Sequence, residues 1–121
     1  NFIADPLLRR MFLLGTYHMY VATSNEKIVG MVSLRDQNHI SLLFVDEAYH
    51  KKGIGRRLVE TIGEFSKEEY GKEDITVNAA PYGVGFYKKI GFFSTSPLMT
   101  NDGIKYISMK KKIGETNGKI I

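Results

Sequence analysis

The sequence contains no cysteine, and this absence removes several kinds of chemistry from consideration. Without thiols the chain offers no disulfide, no thiolate metal ligand and no cysteine nucleophile. It also lacks a run of about 18 apolar residues, so we expect no transmembrane helix. Charged residues interrupt the apolar stretch over residues 2–14, which argues against a secretory signal there. We therefore expect a cytoplasmic protein.

The charge balance is moderately basic, with 17 Lys and Arg residues against 13 Asp and Glu residues and a formal net charge of +4. This excess suits an anionic ligand such as a nucleotide, a phosphate or a nucleic acid, but it is too small to choose among them. The length of 121 residues predicts one domain over 1–121, with residues 114–121 as a flexible tail. His18, His39 and His50 lack the spacing of metal ligands, so we expect no metal site.

The first half of the chain is predicted to contain one short helix and three strands. Asp5 and Pro6 form a helix start signal, which predicts a helix over residues 5–12. Three β-rich stretches follow and are separated by short polar turns, which favours an antiparallel meander. These predicted strands are residues 18–23, residues 27–34 and His39–Val45.

In the second half the hydrophobic period changes to that of a helix. Apolar residues recur at spacings of four, four and three between Ile54 and Phe65, which places them on one helical face. This predicts a helix from Gly53 to about Tyr70, with Gly71 as its terminator. Further predictions are a strand over 75–79, a helix over 81–90 and closing strands over 92–95 and 104–110. The unit over 39–79 should form a right-handed parallel crossover. The order predicts an α/β fold with one mixed sheet and helices on its faces.

The most informative segment lies between a predicted strand and a predicted helix, where residues 50–57 read HKKGIGRR. Gly53 and Gly55 allow a tight turn and let a ligand approach the backbone. The start of a helix leaves N–H groups unpaired and carries a positive dipole end, which attracts anions. Because the neighbouring side chains are basic, a pyrophosphate is the natural occupant.

Other interpretations of this glycine turn differ in how well they fit. A P-loop requires GxxxxGK[ST], which is absent. A dinucleotide-binding turn requires a third glycine where Leu58 stands, and an antiparallel meander is the wrong element before it. Taken by itself, the motif is also compatible with a turn that glycines make flexible, flanked by solvated lysines and without a ligand.

Two blocks of sequence resemble the GNAT superfamily of acyl-CoA N-acyltransferases. Residues 45–58 (VDEAYHKKGIGRRL) resemble its pyrophosphate loop, whose pattern is Q/R-x-x-G-x-G/A. Residues 75–92 (ITVNAAPYGVGFYKKIGF) resemble its next block, in which a strand bearing Asn leads to a helix ending in FYxKxGF. The resemblance spans roughly residues 27–93. It implies the GNAT fold, acetyl-CoA as co-substrate, and a small-molecule or peptide amine as acceptor.

The sequence departs from the family pattern in two places. His50 stands where the family usually has Gln or Arg, although a histidine still offers a hydrogen-bond donor. The family also begins with a strand and one or two helices, which usually help to form the acceptor cleft, whereas this chain supplies one short predicted helix and is N-terminally short. Either residues are missing upstream of Asn1, or the first strand is dispensed with.

By resemblance, the end of the third strand and the glycine loop bind the cofactor. The backbone of Phe44 and Val45 would pair with the pantetheine arm much as an added strand would. The Val45 N–H group would donate to the thioester oxygen. The full set of expected cofactor contacts is Phe44, Val45, His50, Lys51, Lys52, Gly53, Ile54, Gly55, Arg56, Asn78 and Tyr87.

Asn78 and Tyr87 belong to the second block. Asn78 would hydrogen-bond the pantetheine region, and its structural alternative is a turn-capping residue before Pro81. Tyr87 would act as general acid and donate a proton to the departing CoA thiolate. The alternative for Tyr87 is an aromatic residue packed in the core.

The general base is less clearly marked by the sequence. His39 stands where the protein-acetylating members of the family carry a glutamate, and its ordinary pKa near 6.5 suits proton transfer. A surface histidine at a strand end is an equally good interpretation. Asp46, Glu47 and solvent are further candidates.

Three functions remain open from the sequence. The first is an acetyl-CoA-dependent N-acetyltransferase using direct transfer, and the second is a catalytically silent acyl-CoA-binding or regulatory domain. The third is a small basic nucleic-acid-binding module, which draws on the net charge and the lysines at 110–112 but lacks a recognition helix. The acceptor is not identified by the fold. The terminal strand is suited to a homodimer.

Overall fold

A computed structural model describes residues 7–12 and 18–114, with side chains described from His18 onward. Eight strands, two α-helices and two 3-10 turns lie within these residues. The strands are β1 (Leu7–Phe12), β2 (His18–Ser24), β3 (Lys27–Arg35), β4 (His39–Val45), β5 (Asp74–Ala79), β6 (Phe93–Ser94), β7 (Met99–Asn101) and β8 (Ile104–Lys112). The helices are α1 (Ile54–Tyr70) and α2 (Val84–Lys89), and the 3-10 turns are Glu47–Tyr49 and Pro81–Gly83.

The strands form one sheet in the order β1-β2-β3-β4-β5-β8-β6, with β7 paired to β8. Strands β4 and β5 are parallel and are connected through α1, whereas every other described pair is antiparallel. This topology confirms the predicted mixed α/β sheet, with a meander, a parallel crossover and a closing antiparallel pair. Both helices contribute side chains to a single hydrophobic core cluster. Neither α1 nor α2 is long and apolar enough to cross a membrane.

The predicted helix over residues 5–12 is wrong. Leu7–Phe12 forms strand β1, which pairs antiparallel with β2 so that Leu7 lies opposite Thr23 and Phe12 opposite His18. The free edge of β2 supplies a continuous row of backbone partners, and such long-range pairing overrides a local helix signal. A strand therefore does precede the meander. The signal at residues 5–6 and residues 115–121 of the predicted tail over 114–121 lie outside the described residues.

Two smaller differences lie near the carboxyl end. Strand β7 falls in a segment predicted as a loop, and it joins β8 through Asp102 and Gly103, which have φ angles of 53° and 79°. An Asp-Gly pair with both φ angles positive is a hairpin signal, so the sequence did mark this turn. The predicted helix over 81–90 begins instead with the 3-10 turn, and α2 starts at Val84.

Candidate functional site

A cleft opens where the parallel strands β4 and β5 separate. The two strands pair at only two positions, His39 with Thr76 and Ile40 with Val77. Beyond Ile40, β4 continues to pair with β3, whereas β5 continues to pair with β8. The resulting cleft has a volume of about 1040 Å³ and is lined by β4, the start of α1, the end of β5 and α2.

A β-bulge accompanies the separation of the two strands. Ser33 of β3 lies opposite Leu42, and Leu34 lies opposite Ile40, so Ser41 is an extra residue in β4. A bulge bends the strand that carries it. The hydroxyl of Ser41 lies 2.7 Å from the hydroxyl of buried Ser33, and Ser41 itself lines the cleft.

Strand β4 presents backbone groups to the cleft that β3 does not bond. The Asp46 N–H group donates to the Val29 carbonyl at 2.8 Å, which makes Gly30 and Val45 a non-hydrogen-bonded pair of the antiparallel ladder. The N–H and C=O groups of Val45 therefore point away from β3. The same applies two residues earlier, at Leu43, and both residues line the cleft.

Phe44 is an expected contact that the structure places elsewhere. Its carbonyl oxygen faces β3, 3.1 Å from the position of a Cβ added to Gly30, and its side chain is 46% exposed outside the cleft lining. Leu43, rather than Phe44, accompanies Val45 in the cleft wall. The sequence could not predict which residues of β4 direct their backbone groups toward the cleft, because this depends on the register with β3.

The glycine loop and the first turn of α1 form one end of the cleft. Lys51 and Gly53 have φ angles of 63° and 80°, in the left-handed region that glycine adopts readily. The helix begins at Ile54 without a side-chain cap, and its first backbone bond runs from the Arg57 N–H to the Gly53 carbonyl. The earlier N–H groups have no acceptor within the helix. Lys51 and Arg56 line the cleft, whereas Lys52 is exposed outside the lining.

His50 connects the loop to the end of β4. Its Nε2 donates to the Val45 carbonyl oxygen at 2.8 Å. The peptide between Val45 and Asp46 is therefore held at both ends, because its N–H group bonds Val29 of β3. This side-chain donation is what the histidine offers in place of the Gln or Arg of the family pattern.

Asn78 lies in the opposite wall, near the end of β5. Its Oδ1 accepts a hydrogen bond from the Ser108 hydroxyl of β8 at 2.9 Å. The side chain therefore bonds a neighbouring strand instead of capping the turn that follows. With Oδ1 engaged in this way, the two Nδ2 hydrogens remain as donors at the cleft.

Tyr87 combines a place in the core with a place in the cleft wall. It is 8% exposed, and its ring packs edge-on against Phe86 and Phe92, with ring centroids 5.1 Å apart in each pair. Burial, together with the nearby Tyr82 hydroxyl, raises the pKa of Tyr87 to about 12. The phenol therefore keeps its proton at neutral pH and has one to donate.

His39 lies at the apex of the cleft but not in its lining. Its Nδ1 is 2.8 Å from the Thr76 hydroxyl of β5. Burial and, to a smaller extent, Arg35 lower the pKa of His39, with Asp36 acting in the opposite direction. The other two candidate bases, Asp46 and Glu47, are also outside the lining, and Asp46 caps the following turn through the Ala48 N–H.

The cleft is larger than the motifs alone indicated. Additional lining residues include Ser41, Leu42, Leu43, Tyr49, Tyr82, Phe86, Lys89 and Ile90. Phe86 and Ile90 belong to the helix of the second block, whose helical period could have marked them. Ser41 and Leu43 carried no sequence signal. Within residues 7–12 and 18–114, no group of three or more His, Asp or Glu residues is arranged to hold a metal ion.

The sequence is similar to that of a known bacterial protein. YyaT of Bacillus subtilis (strain 168) is 28% identical over 93 residues, which are 77% of this chain and 59% of YyaT. The chain thus spans less than two thirds of that relative.

Solved structures share the fold. A GCN5-related N-acetyltransferase from Rhodopseudomonas palustris has a TM-score of 0.72 and 23% identity, covering 80% of this chain and 62% of its own. An aminoglycoside 6'-N-acetyltransferase complexed with coenzyme A has a TM-score of 0.70 and 16% identity. The match covers 87% of this chain and 77% of the aminoglycoside acetyltransferase chain. The acetyltransferase (GNAT) domain family matches residues 1–113. The chain therefore belongs to the GNAT acetyltransferase domain family.

Proposed function

We propose that the chain binds acetyl-CoA in the cleft between β4 and β5 and transfers the acetyl group to a primary amine. The observation that carries this proposal is the separation of β4 from β5 beyond Ile40. It leaves the backbone groups of Leu43 and Val45 facing a cleft that ends at a basic glycine loop. Membership of the GNAT family and the fold shared with an enzyme complexed with coenzyme A support it.

The loop end of the cleft fits a pyrophosphate. The first N–H groups of α1 are not capped by any side chain, so they remain available as donors to an anion at the positive end of the helix dipole. Lys51 and Arg56 add positive charge in the lining, and Lys52 adds it from the exposed side of the loop. Such a cradle suits the most highly charged part of CoA.

The β4 wall fits the extended pantetheine arm. An extended amide chain can pair with the outward N–H and C=O groups of Leu43 as an added strand would. The Val45 carbonyl is already bonded by His50, so at Val45 only the N–H group is left for the ligand. From the opposite wall, the Nδ2 group of Asn78 can donate to a carbonyl of the same arm. This pairing uses the strand edge that β5 leaves free.

In the proposed reaction, acetyl-CoA supplies a thioester, whose carbonyl carbon takes the lone pair of the amine while the C–S bond breaks and the amine loses a proton. Tyr87 donates its phenolic proton to the leaving sulfur. The Val45 N–H group donates to the thioester oxygen, where negative charge develops. His39 lies outside the cleft lining and six residues before Val45 in β4, so it accepts the amine proton through a chain of water molecules.

A thermal-shift comparison of acetyl-CoA, CoA and ATP at matched concentrations tests the cofactor site. Acetyl-CoA or CoA at about 100 times its dissociation constant should add about 2.7 kcal/mol to the free energy of unfolding. ATP should give a much smaller shift, because it lacks the pantetheine arm. Equal shifts with all three ligands, or none with either CoA species, would contradict the proposed site. CoA binding without amine-dependent CoA release would instead favour the catalytically silent domain.

Replacing His50 is expected to weaken CoA binding through the loop. His50→Ala removes the donation to the Val45 carbonyl and should raise the dissociation constant of CoA by about 5- to 10-fold. His50→Gln supplies an amide donor and should restore most of that loss. Titration calorimetry of the two variants measures both effects. Wild-type affinity in His50→Ala would show that the hydrogen bond does not support the loop.

A further inference from the structure

Thr76 holds one nitrogen of the His39 ring. The two residues face each other at the apex of the cleft, where β4 and β5 are still paired, and the His39 Nδ1 lies 2.8 Å from the Thr76 hydroxyl oxygen. The same hydroxyl lies 3.5 Å from the Asn38 carbonyl oxygen, to which the Thr76 N–H group also donates, at 2.9 Å. Thr76 is thus bound to the chain just before β4 through its backbone and its side chain.

The position of one hydrogen decides which ring nitrogen is the base. A threonine hydroxyl has a single hydrogen and two lone pairs. If the hydroxyl donates to the Asn38 carbonyl, which can only accept, its oxygen must accept from the His39 Nδ1–H. The neutral ring then carries its lone pair on Nε2. Within the described part of the chain, no hydrogen-bond partner lies against His39 Nε2.

The surroundings of the pair have a net effect that favours the neutral ring. Arg35 lies directly opposite His39 in β3, and Asp36 follows it. On the other side, Lys110 of β8 lies opposite Thr76 and is 3.7 Å from the Asp74 carboxylate. Burial lowers the pKa of His39 most, Arg35 lowers it further and Asp36 raises it, so that the lowered pKa favours the proton-accepting form.

We propose that Thr76 is a positioning residue that selects the Nδ1–H tautomer of His39 and leaves Nε2 as the atom that accepts a proton. The role of this tautomer in catalysis rests on the proposed function, whereas the tautomer itself does not. During transfer, an amine N–H bond breaks, its electron pair stays on the amine nitrogen, and a new N–H bond forms at Nε2. The Nδ1–H donation to Thr76 becomes charge-assisted in the imidazolium, which then releases its proton to solvent.

Nitrogen-15 NMR of the histidine rings tests the proposal in the intact protein without any acceptor. Long-range ¹⁵N–¹H correlations distinguish the two tautomers, and a His39→Gln sample assigns the His39 signals. We expect wild type to carry the hydrogen on Nδ1 of His39, Thr76→Ser to keep it there, and Thr76→Val to move it to Nε2. A wild-type Nε2–H ring, or an unchanged ring in Thr76→Val, would overturn the proposal.

CoA titration of the same samples separates this proposal from the proposed function. Wild type and both Thr76 variants should bind CoA within about twofold of one another, because Thr76 lies outside the cleft lining. A wild-type protein with the expected tautomer but no affinity for CoA would remove the proposed function and support the tautomer selection. An Nε2–H ring in a protein that binds CoA would do the reverse.

Discussion

Gly55→Val is expected to weaken CoA binding by about 10- to 100-fold. A Cβ added to Gly55 would lie 3.0 Å from Cζ and 3.1 Å from Cε1 of Phe86, which is tighter than such atoms ordinarily pack. The Phe86 ring would have to move, and it packs against Tyr87. Because both aromatic residues line the cleft, the collision alters α2 and the cleft together. Titration calorimetry with CoA measures the loss.

A matched control for this prediction lies in α2 itself. A Cβ added to Gly85, which is exposed, meets no heavy atom within 4 Å, so Gly85→Val adds the same side chain at an open position. We expect Gly85→Val to bind CoA about as well as wild type. Circular dichroism and thermal melting of both variants distinguish a lost site from a lost fold. Unimpaired CoA binding by a folded Gly55→Val protein would contradict the assignment of this loop and its contact with α2.

Tyr87→Phe is expected to lower kcat by about 100-fold or more while leaving the dissociation constant of CoA nearly unchanged. The substitution removes only the hydroxyl, so the edge-on packing against Phe86 and Phe92 is kept. Without the phenolic proton, the CoA sulfur must leave as an unprotonated thiolate. The measurement is amine-dependent CoA release at saturating acetyl-CoA, with a primary amine obtained by screening.

The pH dependence and a control sharpen this test. Because the pKa of Tyr87 is raised to about 12, its proton-donating form persists from neutral to mildly alkaline pH, and Tyr87 should cause no loss of rate in that range. Tyr106→Phe removes a hydroxyl from β8 outside the cleft lining and should leave kcat unchanged. An unchanged kcat in Tyr87→Phe would remove Tyr87 from the proposed reaction.

The inner elements of the fold were predictable because their signals are local. The bounds of β4 agree with the prediction, and α1 begins and ends within one residue of the prediction, because its apolar spacing and terminal glycines are carried by neighbouring residues. Strand β1 was not predictable in the same way. Its residues form a strand because they pair with β2, and a local pattern does not reveal such a pairing. The nearby helix start signal predicted a helix instead.

The candidate site likewise contains residues that the sequence predicted and residues that only the strand pairing revealed. The glycine loop was singled out from the sequence because turn chemistry depends on consecutive residues, and Asn78 and Tyr87 were singled out because their segment resembles a GNAT motif. The sequence did not reveal which residues of β4 face the cleft. The bulge at Ser41 and the pairing with β3 decide which backbone groups of β4 point toward β3 and which point toward the cleft. The choice of Leu43 over Phe44 follows from that pairing alone.

The sequence by itself determined the order of the inner elements, the basic glycine turn before α1 and the pair of motifs that resemble the GNAT family. Only the tertiary structure decided that β4 and β5 separate after two paired positions, that His50 bonds the end of β4, and that Thr76 meets His39. The physical reason is the range of the forces involved. Helix periods and turn preferences act between near neighbours in the chain, whereas strand register and side-chain contacts across the sheet join residues that are far apart in sequence.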